Sequence, residues 1–516
     1  MKHLTKSWYA LLSRRAASRS GGRLYWLLLA SFIVVLNLYA PAEPTVFERL
    51  LASAIILVAF GAIWRWIYRG NRAPEFGFLP MVMIVYSLEY ALPIFTLKAY
   101  SMEITGTDSL PDSTVEKALL LAFAGLIAML VGYYYPGRHR VARILPKIHL
   151  QWQNKGAIEL VSLGFAALGL VVFLITLQLK LSPEIQAYIN LPSDFFYLAI
   201  IVLLILHLEG ELGRGYVALL WFVLIPLRAL IGLAQGALGF AIIETAALLI
   251  TYATMRRRIP WLIFIAGFGA FFFMQPIKGM MRSMVFAGRT ANTEQNQSDK
   301  FEALVVTGAQ GVTAVENLPL GDLLSIATNR LADIMVLATV VNLTPEDIPY
   351  WGGTTFYRLL LVPVPRLIYP EKPVDLPGNV LGHQYGMISG DDYTTSINLM
   401  QILELYGNFG PFGVVLGSIV IGMIYRTIND LFISRACGLG AVVAGIYIFM
   451  HLVDIENAAS SVFGGLLIES LTVMAFHCGI RLAEGFFAVT SSRGLLQARV
   501  SGAGATMAEG GAAGRS

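Results

Sequence analysis

Residues 156–178 read GAIELVSLGFAALGLVVFLITLQ, a run of 23 residues with a single charge, Glu159. About 20 mostly apolar residues are enough for a helix to cross the hydrocarbon core of a bilayer. This stretch meets that requirement. The same ruler, moved outward along the chain, marks further spans at 24–40, 47–68, 77–97, 118–135, 195–209, 216–234, 236–254, 260–276, 408–426, 437–453 and 463–480. The 195–209 and 216–234 runs are the weakest. One gives way to His207, Glu209 and Glu211, and Arg228 interrupts the other. The sequence therefore predicts an all-α polytopic membrane protein with about 12 transmembrane helices. Composition agrees, with 56% hydrophobic and 14% charged residues in a chain of 516 and a mean hydropathy of +0.66. Soluble domains carry about 25% charged residues. A soluble enzyme, a nucleic-acid binder and a disordered scaffold are excluded on these grounds.

Lysine and arginine in the short loops orient the spans. Lys2, Lys6, Arg14, Arg15, Arg19 and Arg23 precede the first. Arg65, Arg69 and Arg72 form the next basic group, followed by Arg138, Arg140, Arg143, Lys147 and Lys155, then Arg256, Arg257 and Arg258. Arg426 and Arg435 bracket a later loop, and Arg481, Arg493, Arg499 and Arg515 lie in the tail. Alternate loops lack such runs. The pattern predicts N-in/C-in topology and an even number of spans. Ala40-Pro41-Ala42 resembles a small-residue cleavage site, but the preceding apolar stretch is long for a signal peptide, which favours an uncleaved helix. Cys437 and Cys478 fall at inner ends and are expected to be reduced thiols.

This divides the chain into spans one to nine (1–276), a large periplasmic loop with interfacial helices (277–407), spans ten to twelve (408–480) and a cytoplasmic tail (481–516). The tail is Gly/Ala/Ser-rich after Arg499 and is expected to be partly disordered there. The large loop is not plainly soluble. Ala303–Val315, Leu323–Val341 and Phe356–Ile368 are apolar. The second reads as a helix with Arg330 and Asp333 on one face.

Ionisable residues within spans are costly and normally face the protein interior. Glu89, Arg228 and Glu244 are such residues. A structural ion pair between Arg228 and Glu244 is one reading; a polar pocket in which Arg228 grips an anionic headgroup is the other. Lys278, Arg282, His451, Asp454, Glu456, Glu404 and Asn408 gather at the outer ends, and His383 is the loop's one histidine. The seven histidines never pair at metal-ligand spacing. HExxH, CxxC, P-loop and Gly-x-Ser-x-Gly patterns do not occur.

The most distinctive stretch runs from Arg330 to Gly410. The Pro365-Arg366 … Tyr369-Pro370-Glu371-Lys372-Pro373 segment resembles the "PR…(W/Y)P.KP" element of O-antigen and exopolysaccharide repeat-unit polymerases, the Wzy-like family. The "E.Y.NFG..G" run at Glu404–Gly413 is similar to the start of a late helix in the same proteins. The resemblance implies an inner-membrane glycosyltransferase, a polysaccharide polymerase. Such an enzyme transfers a growing glycan from undecaprenyl diphosphate to the next lipid-linked repeat unit. It implies no metal or nucleotide cofactor and no nucleic acid. Its partners would be the lipid-linked oligosaccharide, membrane lipid, a chain-length regulator and a flippase.

The chemistry of that reaction selects candidate residues. Charge growing on the departing diphosphate calls for fixed cations, for which Arg228, Arg282, Arg358, Arg366 and Lys372 qualify, with Asn408 as a further glycan contact. The loop holds eight Lys/Arg against thirteen Asp/Glu, so any phosphate grip must be local. Deprotonating the acceptor hydroxyl calls for a base. Glu404, where the loop re-enters the bilayer, is the first choice and His383 the second. Trp351, Tyr357 and Tyr369 suit either sugar stacking or interfacial anchoring. An O-antigen ligase-type transferase and a lipid-linked oligosaccharide flippase or transporter remain alternatives.

Overall fold

The computed structural model describes residues 22–69, 75–97, 110–135, 144, 148, 150–178, 194–234, 238–267, 269, 319, 326, 328–361, 369, 377–390, 395–433 and 437–510; at 69, 176–178, 231–245, 358, 360 and 490–510 only the backbone is considered. The described residues are helical throughout, without strands. In chain order the helices are α1 (Gly22–Tyr39), α2 (Val46–Arg69), α3 (Phe78–Thr96), α4 (Asp112–Tyr133), α5 (Lys155–Gln178) and α6 (Asp194–Leu208). Then come α7 (Arg214–Leu219, Leu220–Leu224 and Ile225–Ala234, continuous) and α8 (Leu238–Arg256). After them follow α9 (Asp333–Leu343), α10 (Thr354–Leu361), α11 (Pro377–Gln384), α12 (Gln401–Phe432), α13 (Leu439–Leu452) and α14 (Ala459–Gly510). Seven of these, α1 to α5, α12 and α14, are long and apolar enough to cross a membrane, and α6, α9 and α13 are shorter apolar helices. The chain has the make-up of a multi-pass membrane protein.

Local sequence explains the element ends. Thr45 and Glu48 start α2 with a reciprocal pair: the Thr45 N–H donates to Glu48 Oε2 at 2.8 Å, and the Glu48 N–H to Thr45 Oγ1 at 3.1 Å. This satisfies donors that a helix start leaves free. In α3 the turn Ser87–Ala91 widens to a π-helix. Pro93 follows and has no N–H for the carbonyl of Glu89. In α12 Gly410 takes a left-handed conformation (φ 66°) before Pro411 and divides the element at a kink. Glycine alone adopts that backbone cheaply, and proline suits the first turn of the helix that resumes. The late span expected to begin at 408 thus corresponds to the part after the kink, and a buried helical stretch from Gln401 precedes it.

One further expectation differs. Leu323–Val341 is not one helix: the chain breaks at Ala332 (ψ 45°), and Asp333 opens α9. The backbone of α14 is helical to Gly510.

The bundle is drawn together along α4 and α12, where glycine permits backbone to approach backbone. A Cβ on Gly132 would strike the Ile419 carbonyl, and one on Gly422 would strike the Met129 carbonyl. Small residues at such crossings are the usual means of close helix packing in lipid, where burial of apolar surface does not itself drive association. At the end of the bundle where α12 terminates, Arg426 pairs with Glu75 at 2.7 Å and with Asp430 at 2.8 Å. Arg257 donates to the carbonyls of Glu75 and Trp66, both at 3.2 Å. The Asn429 side-chain oxygen accepts the Phe76 N–H at 2.9 Å, and Thr254 Oγ1 accepts the Gly77 N–H at 2.8 Å. These bonds tie the ends of α2, α8 and α12 to the start of α3.

Gly422→Val is expected to cost about 1–3 kcal/mol through overpacking, read as a lower thermal unfolding temperature in detergent. Gly164→Val, on α5 where a Cβ meets nothing within 4 Å, should leave that temperature unchanged.

Candidate functional site

The opposite end of the bundle, where α12 begins, is where the polar groups converge. The Glu404–Gly410 run sits there as a docking strip. Glu404 is fully buried, and its carboxylate accepts the Ser460 N–H at 3.0 Å and a short bond from the Ser460 hydroxyl. It thereby caps the start of α14 with a side chain from another helix. Tyr406 donates to the Thr344 carbonyl at 2.9 Å. Gly407 leaves room for the Trp351 ring and accepts the Trp351 N–H at 2.8 Å. Asn408 accepts the Gly353 N–H at 2.9 Å and donates to Thr355 Oγ1 at 2.8 Å. Phe409 stacks on Phe356 with ring centroids 5.9 Å apart. Every residue of the run except Leu405 and Gly410 thus holds a partner in 344–356 or at the start of α14. At Gly410 an added Cβ would come within 2.9 Å of the Tyr350 hydroxyl.

Beside this strip lies a layer of carboxylates. Arg330 pairs with Glu456 at 2.9 Å. Asn398 Nδ2 bridges Glu456 Oε2 at 3.0 Å and Asp333 Oδ1 at 3.3 Å. Arg330 was expected to share a helix face with Asp333. The break at Ala332 instead leaves it paired with Glu456 in the turn between α13 and α14. Asp454, in the same turn, accepts from Asn457 at 2.7 Å. Burial first, and the neighbouring Glu456 second, push the Asp333 carboxyl up to about 8 and the Asp454 carboxyl up to about 6. Glu456 is also the chief cause that holds the Arg330 guanidinium more firmly protonated than usual. Behind them, Glu89 is 1% exposed on the π-turn of α3, and neither carboxyl oxygen has a hydrogen-bond partner.

A second polar group surrounds His451. Its Nε2 lies 3.4 Å from Glu469 Oε1, and its Nδ1 lies 3.0 Å from the Tyr447 carbonyl. A carbonyl only accepts, so Nδ1 carries a proton. Asp194 interacts electrostatically with Glu469, His451 and Arg228. Arg228 is 4% exposed and stacks over the Tyr197 ring at 4.1 Å.

The candidates chosen from sequence therefore separate. Glu404 and Asn408 share the docking strip. Arg228 joins the His451 group. His383 lies half-buried in the last turn of α11. Arg358 sits on α10, with its side chain outside the described residues. Arg282, Arg366 and Lys372, with the rest of the proline-rich 365–373 element apart from Tyr369, and the Glu244 side chain also lie outside them. Asn398, Ser460, Asp194 and Glu469 were missed. Glu469 carried the same signal as Glu89, an acid within an apolar span. Asn398 and Ser460 carried none, because uncharged polar residues are common in loops. Among the described residues no three His, Cys, Asp or Glu side chains are grouped to hold a metal ion.

The class is thus a multi-pass helical membrane protein with a buried polar layer at one end. Residues 138–475 match the family described as a domain of unknown function, DUF8712. The match covers well over half of the chain, and the protein belongs to that family. No curated protein and no solved structure matches it.

Glu404→Ala leaves the Ser460 N–H and hydroxyl buried without an acceptor, at a cost of about 1–3 kcal/mol. Glu404→Gln keeps one acceptor oxygen and should lose less. Thermal unfolding of the purified chain measures both; equal losses would show that the capping contact is not what stabilises this junction.

Proposed function

We propose that the protein polymerises undecaprenyl-diphosphate-linked oligosaccharide repeat units, as an O-antigen or exopolysaccharide polymerase, in a bacterial inner membrane. In this reading it has about 12 spans in N-in/C-in topology, and the end where α12 begins faces the periplasm. The observation that carries the proposal is the Glu404–Gly410 strip. The residues that resemble the polymerase motif are those that fasten the 344–356 segment to the membrane end of the bundle. A substrate with an apolar tail, a diphosphate and a glycan needs a protein surface at that level, with cations and carboxylates side by side.

The division of labour follows from the chemistry. Arg358, Arg366 and Lys372 lie within one short stretch of sequence and would stabilise the departing diphosphate, as would Arg282. Arg228 would hold an anionic headgroup deeper in the bilayer. Glu404 is committed to Ser460, so the base is more simply supplied by His383 or by the carboxylate layer.

Deleting the gene should collapse long glycan chains to single repeats. The wild-type gene should restore them, and Arg366→Ala should not. A glycan-length gel from the source organism reads this directly. Long chains that persist on the lipid carrier but fail to reach their final acceptor would replace the proposal with a ligase. Repeat units trapped on the cytoplasmic side would replace it with a flippase. An unchanged profile would end the glycan reading.

A further inference from the structure

Four carboxyl groups, those of Glu89, Asp333, Asp454 and Glu456, share one region with, among the described residues, one guanidinium, that of Arg330. Their bonds divide them. Glu456 is matched by Arg330 and Asn398. Asp454 is matched by Asn457. Asp333 has Asn398 on Oδ1 and nothing on Oδ2, and Glu89 has no donor on either oxygen. Both are buried, at 3% and 1% exposure. Stripping water from a carboxylate without supplying donors costs several kcal/mol, so two unmatched carboxylates side by side are not a stable charge state. Several other charged groups on the packed elements are engaged elsewhere. On α2, Glu48 bonds Thr45 and Arg49 bonds the Pro44 carbonyl; on α4, Glu116 bonds Thr45. Asp112 and Lys117 belong to the first two turns of α4. Tyr86 and Tyr90 flank Glu89 on its own helix.

Exposure falls in steps along the cluster. The Arg330 and Glu456 side chains are 37% and 22% exposed, and Asp333 and then Glu89 lie beneath them. Asn398 links the exposed layer to the buried one. Hydrogen bonds thus run from the exposed Arg330–Glu456 pair to Asp333, whose helix packs against the π-turn that carries the unpartnered Glu89. Such a turn is an irregularity that is frequent at functional sites.

We propose that Glu89 and Asp333 form a proton-binding site that is loaded in the resting protein and exchanges with solvent past Glu456, the more exposed carboxylate that Asn398 holds beside Asp333. The ligand is a proton. Asp333 gives it up to solvent and takes it back, and Glu89 is the deeper partner. The site does not depend on the polymerase reading, because the purified chain without substrate carries it.

The test uses full-length protein in phosphatidylethanolamine–phosphatidylglycerol vesicles. Infrared difference spectra should show a protonated-carboxyl C=O band at neutral pH that fades as the pH rises through about 8. Glu89→Gln and Asp333→Asn should each remove part of it. Thermal unfolding supplies an independent readout. A group whose folded-state pKa is raised contributes stability that is complete below the ordinary carboxylate value and is lost as pH rises through the folded value. Glu89→Gln, a neutral isostere of the loaded acid, should match wild type near pH 4, where the carboxyl is protonated in the folded and the unfolded chain alike, and unfold at a higher temperature than wild type at pH 9, where the unfolded chain gains by releasing the proton. Absence of the band at neutral pH would overturn the proposal. So would a Glu89→Gln variant that is equally destabilised at both pH values.

Discussion

The approach of α4 to α12 is the contact on which the remaining architecture depends. Gly132 and Gly422 let the two backbones meet, and α12 then carries a network at each end. One end holds Arg426 and Asn429, which clamp the start of α3. The other holds Glu404 and Asn408, which clamp the 344–356 segment and the start of α14. In an apolar surrounding a polar side chain with no partner is expensive. Each clamp is therefore specific as well as cohesive: a shift of α12 along its axis would strand several buried polar groups at once.

The kink at Gly410 turns this helix into two functional parts. The buried segment before it presents side chains to the loop, whereas the segment after it exposes Phe412 and Leu416 as a lipid-facing helix would. A run that reads in sequence as the start of a late helix is thus a mounting point. Its glycine, asparagine and glutamate are explained by backbone geometry and by hydrogen bonds before any catalytic task is invoked. Unspent bonding capacity lies instead at Asp333 Oδ2 and at both carboxyl oxygens of Glu89, which lack donors.

Two polar layers meet at the junction of α13 and α14. His451 reaches back to Glu469, while Asp454 and Glu456 face Asn457 and Arg330. A single turn of chain thus supplies both. Such concentration is what a protein working at a membrane surface requires, since charged groups are tolerated only where they have partners or water.

Sequence alone determined the helical class and the membrane habit, because a bilayer imposes a length and a composition that local sequence must satisfy. It also marked Glu89, Arg228, Glu404 and Asn408 as out of the ordinary. Only the tertiary structure decided what they touch. Arg330 took Glu456 as its ion-pair partner, and Arg228 settled on Tyr197, within electrostatic reach of Asp194. Ser460 and Asn398 became important only through partners 56 and 58 residues away. Burial and pairing are properties of contacts between distant segments, and a helix read by its own periodicity carries no record of which neighbour will face it.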